Sequence, residues 1–276
     1  MDEPMNYFLL NRLKLSALTA LAALLTGVFV AMLEARLHGT ARITGCALFL
    51  LMLALAFFNA RKKLPFLPIG SAASWLRFHS YAGIYSMILF LAHTGFGWPT
   101  GGLETVTYLL FWFVALSGVG GLMISRLFPK RLNQAGKPVI YESIPELRLE
   151  LSERGKKLVL TALEKTKMST LADFYAFRLE RFFARPRNFW SHVLGLQFHM
   201  AKIRTGINGV RRYLNAEEML VLDELERLTR EKDDLDLQYS LQRLLKLWLF
   251  VHIPLTFSLI IFAAVHGIIA WSLTGA

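Results

Sequence analysis

Five apolar runs, each about as long as a bilayer is thick, constrain this chain more than any other feature of its sequence. They cover roughly residues 13–33, 43–59, 75–98, 106–125 and 246–273. A helix crosses a hydrocarbon core about 30 Å thick in ~20 residues. In lipid its backbone polar groups must be satisfied within the helix itself. No Asp or Glu occurs between Glu34 and Glu104, and 54% of the 276 residues are hydrophobic. That composition excludes an ordinary soluble domain. The expectation is an all-α integral membrane bundle of about five transmembrane helices. Pro65 and Pro68, after Arg61, Lys62 and Lys63, end the second run, because proline cannot continue a helix.

Positive charge orients the bundle. Arg12 and Lys14 open the first run, and Arg61, Lys62, Lys63 and Arg77 flank the second and third. Arg126, Lys130 and Arg131 follow the fourth. The turn at 99–105 has neither Lys nor Arg. These charges put the N-terminus inside and the C-terminus outside, in a multi-pass protein of the kind expected in a bacterial cytoplasmic (inner) membrane. Arg36 and Arg42 in the outside loop 34–42 run against the rule. No cleavable signal is expected at the N-terminus, because the first run lacks a convincing small-residue cleavage pattern.

The chain then divides into transmembrane helices at 1–125, an inner-side segment at 126–245 and a last transmembrane helix at 246–276. The segment is too long for a structureless loop and reads as a helical insertion. Ser143 with Glu146, Thr170 with Asp173 and Asn215 with Glu218 have the spacing of helix-start caps. Leu171, Phe174, Tyr175, Phe177, Leu179, Phe182 and Phe183 make an apolar surface, and Leu220, Leu222, Leu225 and Leu228 a helical stripe. Both read first as the core of a subdomain. The charge run from Glu231 to Asp236 reads as a solvated turn leading into the last span. The segment holds 22 Lys/Arg against 16 Asp/Glu, a surplus that suits anionic headgroups or an acidic redox partner. His192 and His199, seven apart, could share a helix face, but they lack the further ligands a metal site needs.

Four of the seven histidines fall in the apolar runs at one repeated spacing. His79 and His93 are fourteen apart, as are His252 and His266. Fourteen helical residues advance about 21 Å and return to within roughly 40° of the same face. A lone histidine in a membrane helix is most often a helix–helix hydrogen-bond partner. Two equal pairs at depth weigh against that reading, since buried ionisable groups there are rare and tend to be functional. The charge-derived topology runs the third and fifth helices in the same direction. His79 then stands level with His252 near the inner face, and His93 with His266 near the outer face. Each pair can ligate one haem iron from both sides, giving two b-type haems.

Two axial imidazoles leave no open position on iron and suit one-electron transfer. Arg77 is the candidate for the inner haem's propionates, with Arg36 and Arg42 on the outer side. Gly83, Gly118 and Gly121 could let a flat macrocycle approach, as could Gly95, Gly97, Gly120 and Gly267, although helix packing explains each one alone. Trp75, Trp98, Trp248 and Trp271 lie where interfacial belts form. Cys46 reads as packing. One cysteine excludes an internal disulfide, covalent C-x-x-C-H haem and a four-cysteine iron–sulfur cluster. The glycines of the fourth run lie inside a span, so they are not a nucleotide fingerprint.

On these residues the chain resembles membrane b-type cytochromes with two bis-histidine haems. In topology it is most similar to the ferric reductase and NADPH oxidase transmembrane domain, over roughly residues 43–125 and 246–273. The resemblance implies His79, His93, His252 and His266 as axial ligands. It departs from that family in lacking a sixth span and a flavin- or NADPH-binding region, and in its large inner segment. Transmembrane electron transfer as a subunit of a larger redox complex is the function it implies. Its partners would be an inner-side donor and an outer-side acceptor, with no role for nucleic acid, and whether the chain is itself an enzyme stays open. A quinol dehydrogenase cytochrome b subunit, with a quinone site, is one alternative. A non-redox membrane anchor or a histidine-based metal transporter is another, and would be colourless when purified.

Overall fold

The computed structural model describes residues 3–35, 39–63, 71–132, 136–166, 170–196 and 198–274. All regular structure among them is helical. Pro65, Pro68 and Arg36 lie outside the described residues, as do the side chains of Arg61, Lys62 and Lys63. The chain forms two compact units, one of Met1–Leu122 with Leu249–Ala276 and one of Met123–Trp248.

The first unit is built from α1 (Glu3–Ala35), α2 (Thr40–Lys63), α3 (Ala72–Thr94), the first part of α4 (Gly102–Leu132) and the last part of α10 (Ala216–Thr274). Four helices, α1, α2, α4 and α10, are long and apolar enough to cross a membrane. After Lys246, α10 carries no Asp, Glu, Lys or Arg. Five spans were expected; α3 is 23 residues long, but its Arg77, two histidines, serines and tyrosines lower its hydropathy. It also stops short of Trp98. Gly95 takes a left-handed φ of 57°, and its N–H bonds the Leu91 carbonyl, a C-terminal cap that glycine adopts without steric cost. Along the middle of this unit Leu48, Met52, Leu89, Phe90, Phe111 and Leu259 form a buried core. Phe90 stacks on Phe111 at 3.8 Å between centroids. The Thr26 hydroxyl and Tyr85 OH, 2.6 Å apart, tie α1 to α3.

In the second unit the end of α4 is followed by a 3-10 turn, Tyr141–Ser143, and α5 (Ile144–Thr166). A π-helical stretch, Tyr175–Leu179, joins α6 (Thr170–Phe174) to α7 (Glu180–Ala184), and α8 (Phe189–Leu194) and α9 (Phe198–Arg211) follow. The core holds Ile144, Leu151, Leu171, Phe174, Leu179, Phe182, Phe183, Ile207, Leu222, Leu225 and Leu228. Phe177 and Leu220 were expected among them but are 80% and 72% exposed. Of the three cap signals, Asn215 and Glu218 form the full reciprocal box. Glu218 N–H donates to Asn215 Oδ1 at 2.8 Å, and Asn215 N–H donates to Glu218 Oε2 at 3.2 Å. Ser143 instead turns its hydroxyl back to the Ile140 carbonyl, and Thr170 lies inside α6.

The run from Glu231 to Asp236 is not a turn. It lies in the unbroken α10, and Lys232 and Asp236 are fully buried. Lys232 Nζ bonds Asp236 Oδ2 at 2.5 Å and the Arg185 carbonyl at 2.9 Å, and lies 3.9 Å from the Phe182 ring centre. His192 and His199 do not share a helix, because a left-handed Gly195 breaks the chain between α8 and α9. His192 faces Asp233 at 3.5 Å instead. Burial, with the Lys232 and Arg131 charges and His199 nearby, pushes the His192 pKa down to about 4.

Candidate functional site

The four span histidines are all half-buried in the first unit. His93 and His266 stand within electrostatic reach of each other, as do His252 and His79. This is the pairing that co-directional α3 and α10 require. The buried Ser86 and Leu259 mark the midpoints of the two histidine spacings, so a packed layer separates the two levels.

The residues around each ring decide which nitrogen carries its proton. His79 Nδ1 lies 3.1 Å from the Leu55 carbonyl on α2. A carbonyl only accepts, so Nδ1 is the protonated nitrogen. His252 Nδ1 lies 2.7 Å from Ser117 Oγ on α4. The Ser117 hydroxyl gives its hydrogen to the Val114 carbonyl at 2.8 Å, so the imidazole donates there too. His93 Nδ1 lies 3.2 Å from Thr44 Oγ1. The Thr44 hydroxyl donates to the Thr40 carbonyl at 2.8 Å, and the His93 ring also bonds the Ala41 backbone on α2. Two of these imidazoles are held by α2 and one by α4, and His79 and His252 are therefore Nδ1–H tautomers with the lone pair on Nε2. Metal-ligating histidines characteristically donate their other ring N–H in this way, which fixes ring orientation and raises ligand basicity. His266 has no such bond among the described residues.

Packing adds to this. A Cβ on Gly45 would fall 2.9 Å from His93 Cε1, so only glycine lets that ring lie against α2. A Cβ on Gly118 would lie 3.8 Å from His252 Cε1, an ordinary contact. A Cβ on Gly83, one turn beyond His79, would meet nothing within 4 Å, which leaves room at the half-buried histidine level. Gly121 is buried. Phe58 packs on the His79 ring at 5.2 Å.

Other expected site residues lie elsewhere. Arg77 is exposed, and its Nε donates to Ala73 O in its own helix at 3.3 Å. Two helical residues turn 200°, so Arg77 projects from nearly the opposite side of α3 to His79. Arg42 lies near the start of α2, half a turn before Thr44. Cys46 is exposed rather than packed.

Sequence reasoning missed Thr44, Gly45, Leu55 and Ser117. Thr44 and Ser117 had a signal of their own, as hydroxyls within otherwise apolar runs. Among the described residues no three or more His, Cys, Asp or Glu side chains gather as for a simple metal ion. A haem iron takes only two protein ligands, and a pair of Nδ1-anchored imidazoles suits it. Compared with known proteins, the chain matches no family model, no curated protein and no solved structure.

Proposed function

We propose that this protein carries electrons across a membrane through two bis-histidine b-type haems, one between His79 and His252 and one between His93 and His266. The observation that carries this reading is the anchoring of three of the four imidazoles through Nδ1 by α2 and α4, in two cross-helix pairs. In this reading α3 is a fifth span, with the N-terminus inside and the C-terminus outside. Bound haem supplies one-electron exchange at an iron with both axial positions filled. The chain's own residues do the rest. Leu55 O, Ser117 and Thr44 orient the ligating rings, Gly45 and Gly83 make space for them, and the Leu89–Phe90–Phe111–Leu259 layer keeps the two levels apart. Other redox subunits supply and accept the electrons.

The test is haem content by pyridine haemochrome and reduced-minus-oxidised spectra of purified variants. His79→Ala and His252→Ala should each remove one of two equivalents, and the double variant no more than one. His79→Ala with His93→Ala should remove both. A colourless wild-type protein, or a His79→Ala/His252→Ala variant that loses both equivalents, overturns the reading.

A further inference from the structure

The second unit carries a stretch unlike the rest of the chain. From Arg181 to Asn215 there are seven Lys/Arg and no Asp or Glu. A cavity of about 220 Å³ lies beside α9, between this stretch and the preceding Phe174 and Arg178. Its buried floor is Phe174 and Phe182, and the exposed Arg178, Arg187, His199 and Lys202 stand around it. Among the described residues no acidic side chain lines it. Four cationic or polarisable donors over an aromatic floor suit a phosphate with an apolar body attached. Guanidinium groups bind phosphate oxygens in a fixed fork, and lysine binds them as a point charge.

The neighbouring surface is apolar where a soluble protein would be polar. Trp190, Leu194, Leu196 and Phe198 are 67%, 67%, 43% and 72% exposed within nine residues. Tryptophan and large apolar side chains beside arginine and lysine form the usual pattern of a segment lying in the headgroup region. A second contact points the same way. Arg131, in the last turn of the candidate span α4, donates through its guanidinium to the Val193 carbonyl at 2.7 Å and to the His192 carbonyl. The end of α8 is thus tied to the end of an apolar helix.

We infer that the Arg178–Arg187–His199–Lys202 cavity binds the phosphate of an anionic phospholipid, with Trp190, Leu194, Leu196 and Phe198 seated at the acyl boundary. This inference needs a bilayer but not haem, so it stands or falls separately from the electron-transfer reading.

Two measurements test it on the full-length protein. In the first, a Cys46→Ser, Phe198→Cys variant carries an environment-sensitive fluorophore in nanodiscs of phosphatidylcholine alone or with phosphatidylglycerol. Doxyl-labelled lipid should quench the probe when phosphatidylglycerol is present and much less without it. In the second, native mass spectrometry counts phosphatidylglycerol retained in detergent. Arg187→Gln with Lys202→Gln should lower retention about thirtyfold, at roughly fivefold per neutralised charge near a bilayer. Circular dichroism and a melting curve matching wild type keep that loss separate from misfolding. If the double variant unfolds, Lys202→Gln alone, at an exposed position, is read on the same scale. Equal quenching in both lipids, or unchanged retention in the folded variant, overturns the inference. Displacement of the lipid by millimolar inorganic phosphate, with no probe quenching, assigns the cavity to free phosphate and overturns the lipid source.

Discussion

Ser117→Ala removes one oxygen and tests the site sharply. In the folded protein that oxygen accepts the Nδ1 hydrogen of His252 at 2.7 Å. Without it the half-buried N–H loses its acceptor, which costs about 1–3 kcal/mol. Losing an outer hydrogen bond to a ligating histidine typically weakens metal binding by about 10–100-fold, or about 1.4–2.8 kcal/mol. The two routes agree, so the haem proposed between His79 and His252 should dissociate roughly 10–100 times faster. The second pigment should be untouched, because its His93 bonds Thr44 rather than Ser117. The assay is transfer of haem from the detergent-solubilised protein to an excess of a haem scavenger, followed in the Soret band as two phases. Ser117→Thr keeps a hydroxyl and should restore the slow phase. Thr44→Val should accelerate the other phase alone. If Ser117→Ala leaves both phases unchanged, or if both variants accelerate the same one, the tautomer argument fails.

Three further outcomes follow from the packing. Gly45→Ala sets a methyl 2.9 Å from His93 Cε1, so haem content should fall by about one equivalent while the far-UV circular dichroism stays helical. Lys232→Met leaves the fully buried Asp236 carboxylate without its 2.5 Å partner and should destabilise the second unit by about 3–5 kcal/mol, read in chemical unfolding; a loss under ~1 kcal/mol contradicts a fully buried pair. The third concerns pH. His192 is depressed to about 4 from 6.5, so its contribution is present above pH 6.5 and is lost as pH falls through about 4. Asp233 is raised from 3.8 to about 6, first by burial and then by Asp236 and Asp234, so its contribution is present below pH 3.8 and lost as pH rises through about 6. The two oppose each other in wild type. Asp233→Asn should therefore make the melting temperature fall as pH drops from 6.5 to 4, and a flat profile in that variant refutes the assignment.

The sequence makes some of this legible. Fourteen-residue spacing and the charge of the loops are enough to expect His79 level with His252 and His93 level with His266, because helical period and direction depend on nothing else. The Asn215–Glu218 box is equally local, and it forms. Composition misleads at Glu231–Asp236, where five charges suggest solvent. Yet Lys232 and Asp236 continue the three- and four-residue stripe of Leu222, Leu225 and Leu228, and position on that stripe decides burial over polarity. The partners of the imidazoles were harder to see. A peptide carbonyl such as that of Leu55 has no signature in sequence, and whether Ser117 or Thr44 meets a ring depends on the rotation of a neighbouring helix. Arg77 was placed by proximity in sequence, where the 200° turn of two residues carries it away from His79.

The packed layer between the two histidine levels has a consequence of its own. Phe90 stacked on Phe111, with Leu48, Met52, Leu89 and Leu259 around them, makes an apolar seam. A hydrated ion or a proton meets an oily stopper there, whereas an electron needs neither solvent nor a carrier group to cross it. Such a seam would let charge of one kind leak through a membrane and hold back every other kind, which is the condition for a potential to survive the traffic.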